Sequence, residues 1–81
     1  MYYVYILKSF IKNRHYIGYS ADLKRRLIEH NSGKVKSTKV MKPWELIYYE
    51  AHQKECLARK AEIFYKTGQG RRQLKKKLEI K

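Results

Sequence analysis

The chain has almost no cysteine and no long apolar run, and each absence excludes a class of protein. Cys56 is the single cysteine among 81 residues. It has no partner for an internal disulfide and cannot build a multi-cysteine metal site. A reducing, intracellular compartment fits that usage, and Cys56 is expected to be a small, semi-buried apolar side chain. The N-terminal run Met1 to Ile11 is too short to cross a bilayer, which takes about 20 apolar residues. It also lacks the basic leader and small-residue cleavage site of a signal peptide. These readings point to a cytoplasmic protein. There is no Gly-x-Gly-x-x-Gly, no phosphate-binding P-loop and no His-Glu-x-x-His, so the common nucleotide-binding and zinc-hydrolase signatures are missing. No serine or cysteine stands near a plausible oriented base in the sequence.

Acidic residues are the other scarcity. Seven Asp and Glu face 20 Lys and Arg, a formal net charge of +13. Such a field attracts polyanions, and nucleic acid is the expected partner. An anionic membrane surface would call for a long basic amphipathic helix with Trp, Phe and Leu along its apolar face. The single Trp44 sits instead in a strand-like segment. What the chain does have is aromatic: eight Tyr, with a hydrophobic fraction of 43%. That suffices for a globular domain and argues against disorder. Eighty-one residues are expected to form one domain, residues 1–81, with a thin core.

Tyr2 to Lys8 is rich in β-formers, and both its faces are apolar, so it reads as a central, covered strand. A polar turn over residues 9–14 leads to a second strand from His15 to Tyr19. Setting Tyr5 opposite Tyr16 places both phenols on one face, with Gly18 opening space just beyond Tyr16. Ser20 is the expected N-cap of a helix running to about His30, with Asp22 in its first turn. Asn31-Ser32-Gly33 ends it. Leu23 and Leu27 form its apolar stripe, bordered by the row Asp22, Arg26 and His30. Residues 33–42 form a basic loop that looks flexible. It is either a solvated linker or a phosphate contact through Lys34, Lys36 and Lys39. Trp44 to Glu50 alternates as a third strand, with Trp44, Leu46 and Tyr48 on one side. Lys54 to Lys66 is a helix with Leu57, Ala61 and Phe64 as its stripe and Ala58 and Tyr65 beside it. Residues 67–70 break it. A last basic helix, Arg71 to Ile80, carries Leu74 and Leu78; its Arg71, Arg72 and Lys75 to Lys77 are either a solvated or a phosphate-tracking face. The order ββαβαα predicts an α+β fold, with helices packed on a small antiparallel sheet.

For so basic a chain the natural chemistry is attack on a phosphodiester. It needs a base for water, positive charge on the phosphate and a hard cation such as Mg²⁺ at the leaving oxygen. Mg²⁺ keeps most of its waters and often takes only one or two carboxylates, so a single Glu on a helix edge can suffice.

Tyr3-Val4-Tyr5, then Tyr16-Ile17-Gly18, Arg26, His30 and Glu62 with Lys66 together resemble the GIY-YIG endonuclease superfamily. The likeness spans nearly the whole chain. It is greatest to small single-domain bacterial members, through His30 to Lys34 (HNSGK) and Pro43 to Glu50 (PWELIYYE). The resemblance implies a three-stranded antiparallel sheet flanked by helices, one Mg²⁺ or Mn²⁺ site, and hydrolysis of DNA in repair or recombination, with branched or single-stranded forms among the substrates and RNA also open. It makes Tyr16 the general base, or half of a water-activating pair with Tyr5. Arg26 would hold the phosphate, His30 assist it and Glu62 bind the metal, while Gly18 lets the site close. Gly18, Tyr19, Lys34, Lys36 and Lys39 are the expected substrate contacts. Three positions depart from the pattern. Tyr3 replaces the first glycine of the motif. Tyr19 stands where repair nucleases carry a lysine. The asparagine that many members carry near the end of the domain has no counterpart, since this chain has only Asn13 and Asn31. A binding module of the same fold with little catalysis is therefore the alternative reading, and a small RNA- or ribosome-associated protein a third.

Overall fold

The computed structural model describes residues 1–79. Three strands, β1 (Tyr2–Ser9), β2 (His15–Ser20) and β3 (Trp44–His52), and three helices, α1 (Leu23–Asn31), α2 (Glu55–Tyr65) and α3 (Gly68–Glu79), follow in the order ββαβαα. This is the expected α+β architecture. The sheet is antiparallel in the order β2-β1-β3, so the strand that is apolar on both faces is the central one.

The sheet separates two cores. On one face Val4 and Ile6 pack with Ala58 and Tyr65 of α2 and Leu74 of α3. On the other Tyr5, Leu7 and Trp44 pack with Tyr16, Leu46 and the α1 residues Leu23 and Leu27. Leu74 lies in the core as the i, i+4 spacing predicts. Leu57 does not; it is 45% exposed, and Ala58 and Tyr65 form the buried stripe of α2. Cys56 is exposed rather than semi-buried. Ile80 lies outside the described residues.

The hairpin register differs from the expected one. Tyr5 pairs with Gly18 and Leu7 with Tyr16. The shift is two residues, so the phenols still share a face. The reason is steric: a Cβ on Gly18 would stand 2.6 Å from the Tyr5 hydroxyl. Strand β3 also departs from simple alternation. A bulge between Ile6 and Leu7 in the β1–β3 pairing inserts one extra residue, so Trp44 and Leu46 face α1 whereas Tyr48 faces α2 and α3.

Helix ends follow side-chain chemistry. Asp22, not Ser20, caps α1, its carboxylate accepting from the Arg25 backbone N–H at 3.1 Å. Ser20 is spent on the preceding turn, accepting from the Asp22 N–H. Gly33, at φ 82°, turns the chain away after α1. Helix α3 begins at Gly68 rather than Arg71 because the Thr67 hydroxyl accepts from the Gly70 N–H at 3.0 Å. The loop between α1 and β3 is tied down rather than loose. Thr38 is fully buried, Lys39–Met41 forms one 3₁₀ turn, and Trp44 Nε1 donates to the Thr38 carbonyl at 2.9 Å. The Asn31 side chain grips the Trp44 backbone twice, accepting from its N–H and donating to its carbonyl.

On the α2/α3 face a polar cluster closes the sheet. Glu50 accepts from the hydroxyls of Tyr48 and Tyr65 and from Lys77 Nζ, the last at 3.1 Å. Lys77 also donates to the Tyr65 oxygen at 2.9 Å. Burial would raise the Glu50 carboxyl, but these donors outweigh it and hold it at about 2. Lys77, expected on a solvated or phosphate-tracking face, is thus a bridge between α3 and β3.

Candidate active site

The α1 face of the sheet holds a second polar cluster of different composition. Leu23 and Leu27 seat α1 on the sheet, and the same helical row turns Arg26 and His30 toward β1 and β2. His30 is completely buried, deeper than the sheet-edge position expected of it. Its Nε2 lies 2.9 Å from the Tyr5 hydroxyl and its Nδ1 2.8 Å from Thr38 Oγ1. The Thr38 hydroxyl donates to the Val35 carbonyl, so its oxygen is free to accept. His30 therefore carries its proton on Nδ1 and presents Nε2 as an acceptor, and Tyr5 donates to it. Burial, helped by the Arg26 charge, lowers the imidazole to about 4, so it is neutral at neutral pH.

Tyr16 completes an aromatic corner. Its ring centroid lies 4.8 Å from that of His30 and 6.3 Å from those of Tyr5 and Trp44. It is only half-buried, so its phenol meets solvent where that of Tyr5 does not. Burial pushes the Tyr5 phenol up to about 12; Arg26 opposes the shift, and Tyr16 and Glu62 add to it. One buried hydroxyl thus feels Tyr16, Arg26 and Glu62 together, although Glu62 comes from α2 on the opposite face of the sheet.

The remaining expected residues are less concentrated. Arg26 is held by Glu29, Nη1 to Oε1 at 2.9 Å. Tyr19 belongs to the other face: its hydroxyl donates to Glu55, and Arg59 lies over its ring at 5.6 Å. Lys34, Lys36 and Lys39 are exposed on the loop that delivers Thr38 to His30. Thr38 is the residue that sequence reading missed. Its only trace was position, eight residues after His30 within a loop that otherwise looked solvated.

Among the described residues no three His, Cys, Asp or Glu side chains cluster as a metal cage. The donor that fits a hard divalent cation is Glu62, whose Oε2 takes Lys66 Nζ at 3.1 Å. Among the described residues its other oxygen takes no hydrogen bond, which suits an ion that keeps most of its waters.

This arrangement can be set beside known proteins. Residues 1–77 match the family model described as the GIY-YIG catalytic domain. The chain belongs to the GIY-YIG family. Members of that family are nuclease-like, act on nucleic acids and generally use divalent metals. UPF0213 proteins of Streptococcus pyogenes serotypes M3 and M1 are each 40% identical to this GIY-YIG chain over 72 residues, 88% of this chain and 77% of theirs. The solution NMR structure of the UPF0213 protein BH0048 from Bacillus halodurans is 33% identical, with a TM-score of 0.55. That likeness covers 91% of this chain and 82% of the other. Among the described residues no helix is long and apolar enough to cross a membrane.

Proposed function

We propose that this GIY-YIG chain is a metal-dependent endonuclease that hydrolyses phosphodiester bonds in DNA, with branched, damaged or single-stranded forms as substrates in repair or recombination. The observation that carries this reading is the convergence on Tyr5: one buried phenol, hydrogen-bonded to His30 of α1, stands beside Tyr16 of β2, whose ring centroid lies 6.3 Å from that of Tyr5 and 4.8 Å from that of His30. Active sites are where such convergence is expected.

The roles follow from exposure and charge. Tyr16, half open to solvent, first releases its own proton to solvent and then, as phenolate, orients the attacking water and takes its proton. Tyr5 keeps its proton, held up at about 12, and serves as a fixed neutral donor beside it. His30 keeps Tyr5 in place as a neutral acceptor. Arg26 leaves Glu29 to neutralise the phosphate, an exchange of one anion for another. Glu62 would hold Mg²⁺ or Mn²⁺, and the ion would supply stabilisation of the charge that develops on the phosphodiester. Gly18 leaves room for the Tyr5 ring, Lys34, Lys36 and Lys39 contact the nucleic acid around the site, and Tyr19 contacts it from the other face of the sheet.

The test is cleavage of nicked, branched and single-stranded DNA with Mg²⁺ or Mn²⁺, beside Glu62→Ala and Tyr16→Phe. Loss of cutting in both variants with binding retained is the expected result. Equal cutting by all three proteins sinks the assignment. A second reading, a binding module of the same fold with little catalysis, draws on the engagement of Arg26 by Glu29 and the firmly held Tyr5 proton. It prevails if none of the proteins cuts and all bind.

A further inference from the structure

Beside the tyrosine site lies a groove of about 750 Å³. Its floor is apolar: Ile6 and Ile17 of the sheet, Leu74 and Leu78 of α3. Its rim is cationic, with Arg14 from the hairpin turn, Lys66 from the end of α2, and Arg71 and Lys75 from α3. Among the described residues no carboxylate lines it. Two of its lining residues tie it to the candidate site. Tyr16 lies at the aromatic corner with His30, and Lys66 is the ion-pair partner of Glu62.

We infer that this groove is a docking track for an unpaired stretch of DNA running on from the cleavage site, with base faces on the apolar floor and phosphates on the four rim cations. The inference rests on the nuclease reading and names where its substrate lies. Four cations around an apolar floor match the two surfaces of a single strand, which alternates anionic phosphates with apolar base faces. Duplex DNA buries those faces in its own stack and offers phosphates and groove base edges instead. An amphipathic anion such as a fatty acid would use the same floor and one cation, and leaves the other rim charges unexplained. RNA adds a 2′-hydroxyl, the group by which proteins distinguish it; DNA, the substrate of the nuclease reading, is the committed occupant.

The test measures anisotropy of fluorescent oligonucleotides in EDTA, where metal-dependent cleavage cannot interfere. The full chain is compared with the double variant Arg71→Gln/Lys75→Gln and with an equal charge loss elsewhere, Lys24→Gln/Lys60→Gln. All four positions are exposed, and thermal melts check that both variants fold. The groove pair is expected to lose about tenfold or more in affinity for an oligo-thymidine, and the control pair less than about threefold, with a log–log salt slope lowered by about 0.7 per charge in the groove pair. Replacing the bases by abasic spacers should weaken binding to the wild type by about tenfold, the scale of burying apolar base faces. Equal losses in the two variants, unchanged affinity for the spacer strand, or equal binding of duplex or oligo-uridine overturns the inference. Wild-type cutting with undiminished binding by the groove pair removes the groove and leaves the active site. Groove-dependent binding by a wild type that does not cut removes the nuclease and leaves the groove.

Discussion

The two faces of the sheet each bury a small cluster of tyrosines, and the clusters differ in what the phenols meet. On the α2/α3 face Tyr48 and Tyr65 donate to an ionised Glu50 that Lys77 also holds. On the α1 face Tyr5 donates to a neutral imidazole whose far nitrogen rests on Thr38. The first cluster pairs charge with charge across α3 and β3, and little is left for an incoming ligand. The second has no resident anion at its phenol, and Tyr16 and Arg26 stand half-exposed beside it. A fixed carboxylate against the phenols would repel a phosphate. A neutral acceptor positions them without doing so. The same residue type therefore serves cohesion on one face and a candidate chemistry on the other, and the partner decides which.

The largest expected effect separates the faces by activity. Tyr16→Phe should lower kcat about 10²- to 10⁴-fold, the range for a positioned proton acceptor, whereas Tyr65→Phe should leave the rate of folded protein within about twofold. A large rate loss in Tyr65→Phe at full folding would erase the contrast. The next separates them by stability. Glu50→Ala strands two hydroxyls and an ammonium; since Lys77 is well exposed and water can replace part of the loss, about 2 kcal/mol is expected in urea unfolding.

Acid should strip the faces one after the other. Unfolded His30 takes a proton near 6.5 and the folded residue only near 4. Between those values the unfolded state binds more protons, so stability falls as pH drops from 6.5 to 4. Glu50 is depressed from 4.5 to about 2, so its contribution is present above 4.5 and is lost as pH falls toward 2. Urea titrations across pH should show both windows, with Glu50→Gln flattening only the lower and His30→Gln only the upper. If Glu50→Gln flattens the upper window, the assignment of windows fails. The smallest effect is expected from Thr38→Val. It removes the Nδ1 partner at nearly constant volume, costs about 1 kcal/mol, and should alter the imidazole tautomer seen by ¹⁵N NMR. An unchanged tautomer would show that Thr38 does not set it.

Much of this was legible in the chain. Apolar character on both sides marked β1 as central, and composition and periodicity located the three strands and three α-helices, while the first turn of α3 and the 3₁₀ turn at Lys39–Met41 were read as break and loop. The hidden parts depend on partners distant in sequence. Glu50 meets Tyr65 and Lys77 across 15 and 27 residues, and nothing local marks a carboxylate as internal. The burial of His30 depends on Thr38, a residue whose type is common in exposed loops. The hairpin register was decided by the Tyr5 hydroxyl lying over Gly18, a contact that spacing alone does not encode. The resemblance named Tyr5, Tyr16, Arg26 and Glu62 together, and physical periodicity alone would have joined only Arg26 to His30.

The bulge opposite Ile6 and Leu7 has a consequence for how such a chain can evolve. Unbroken pairing from Trp44 and Ser9 would bring Tyr48 opposite Tyr5 and Glu50 opposite Tyr3, placing the carboxylate on the α1 face. The extra residue near Ile47 reverses the parity of everything after it. The bulge thus keeps the acid apart from Tyr5 and Tyr16: deleting Ile47 would leave Glu50 opposite Val4, whereas a β3 that paired every residue without the bulge would trade the charged clasp of α3 for an anion lodged beside the tyrosine corner.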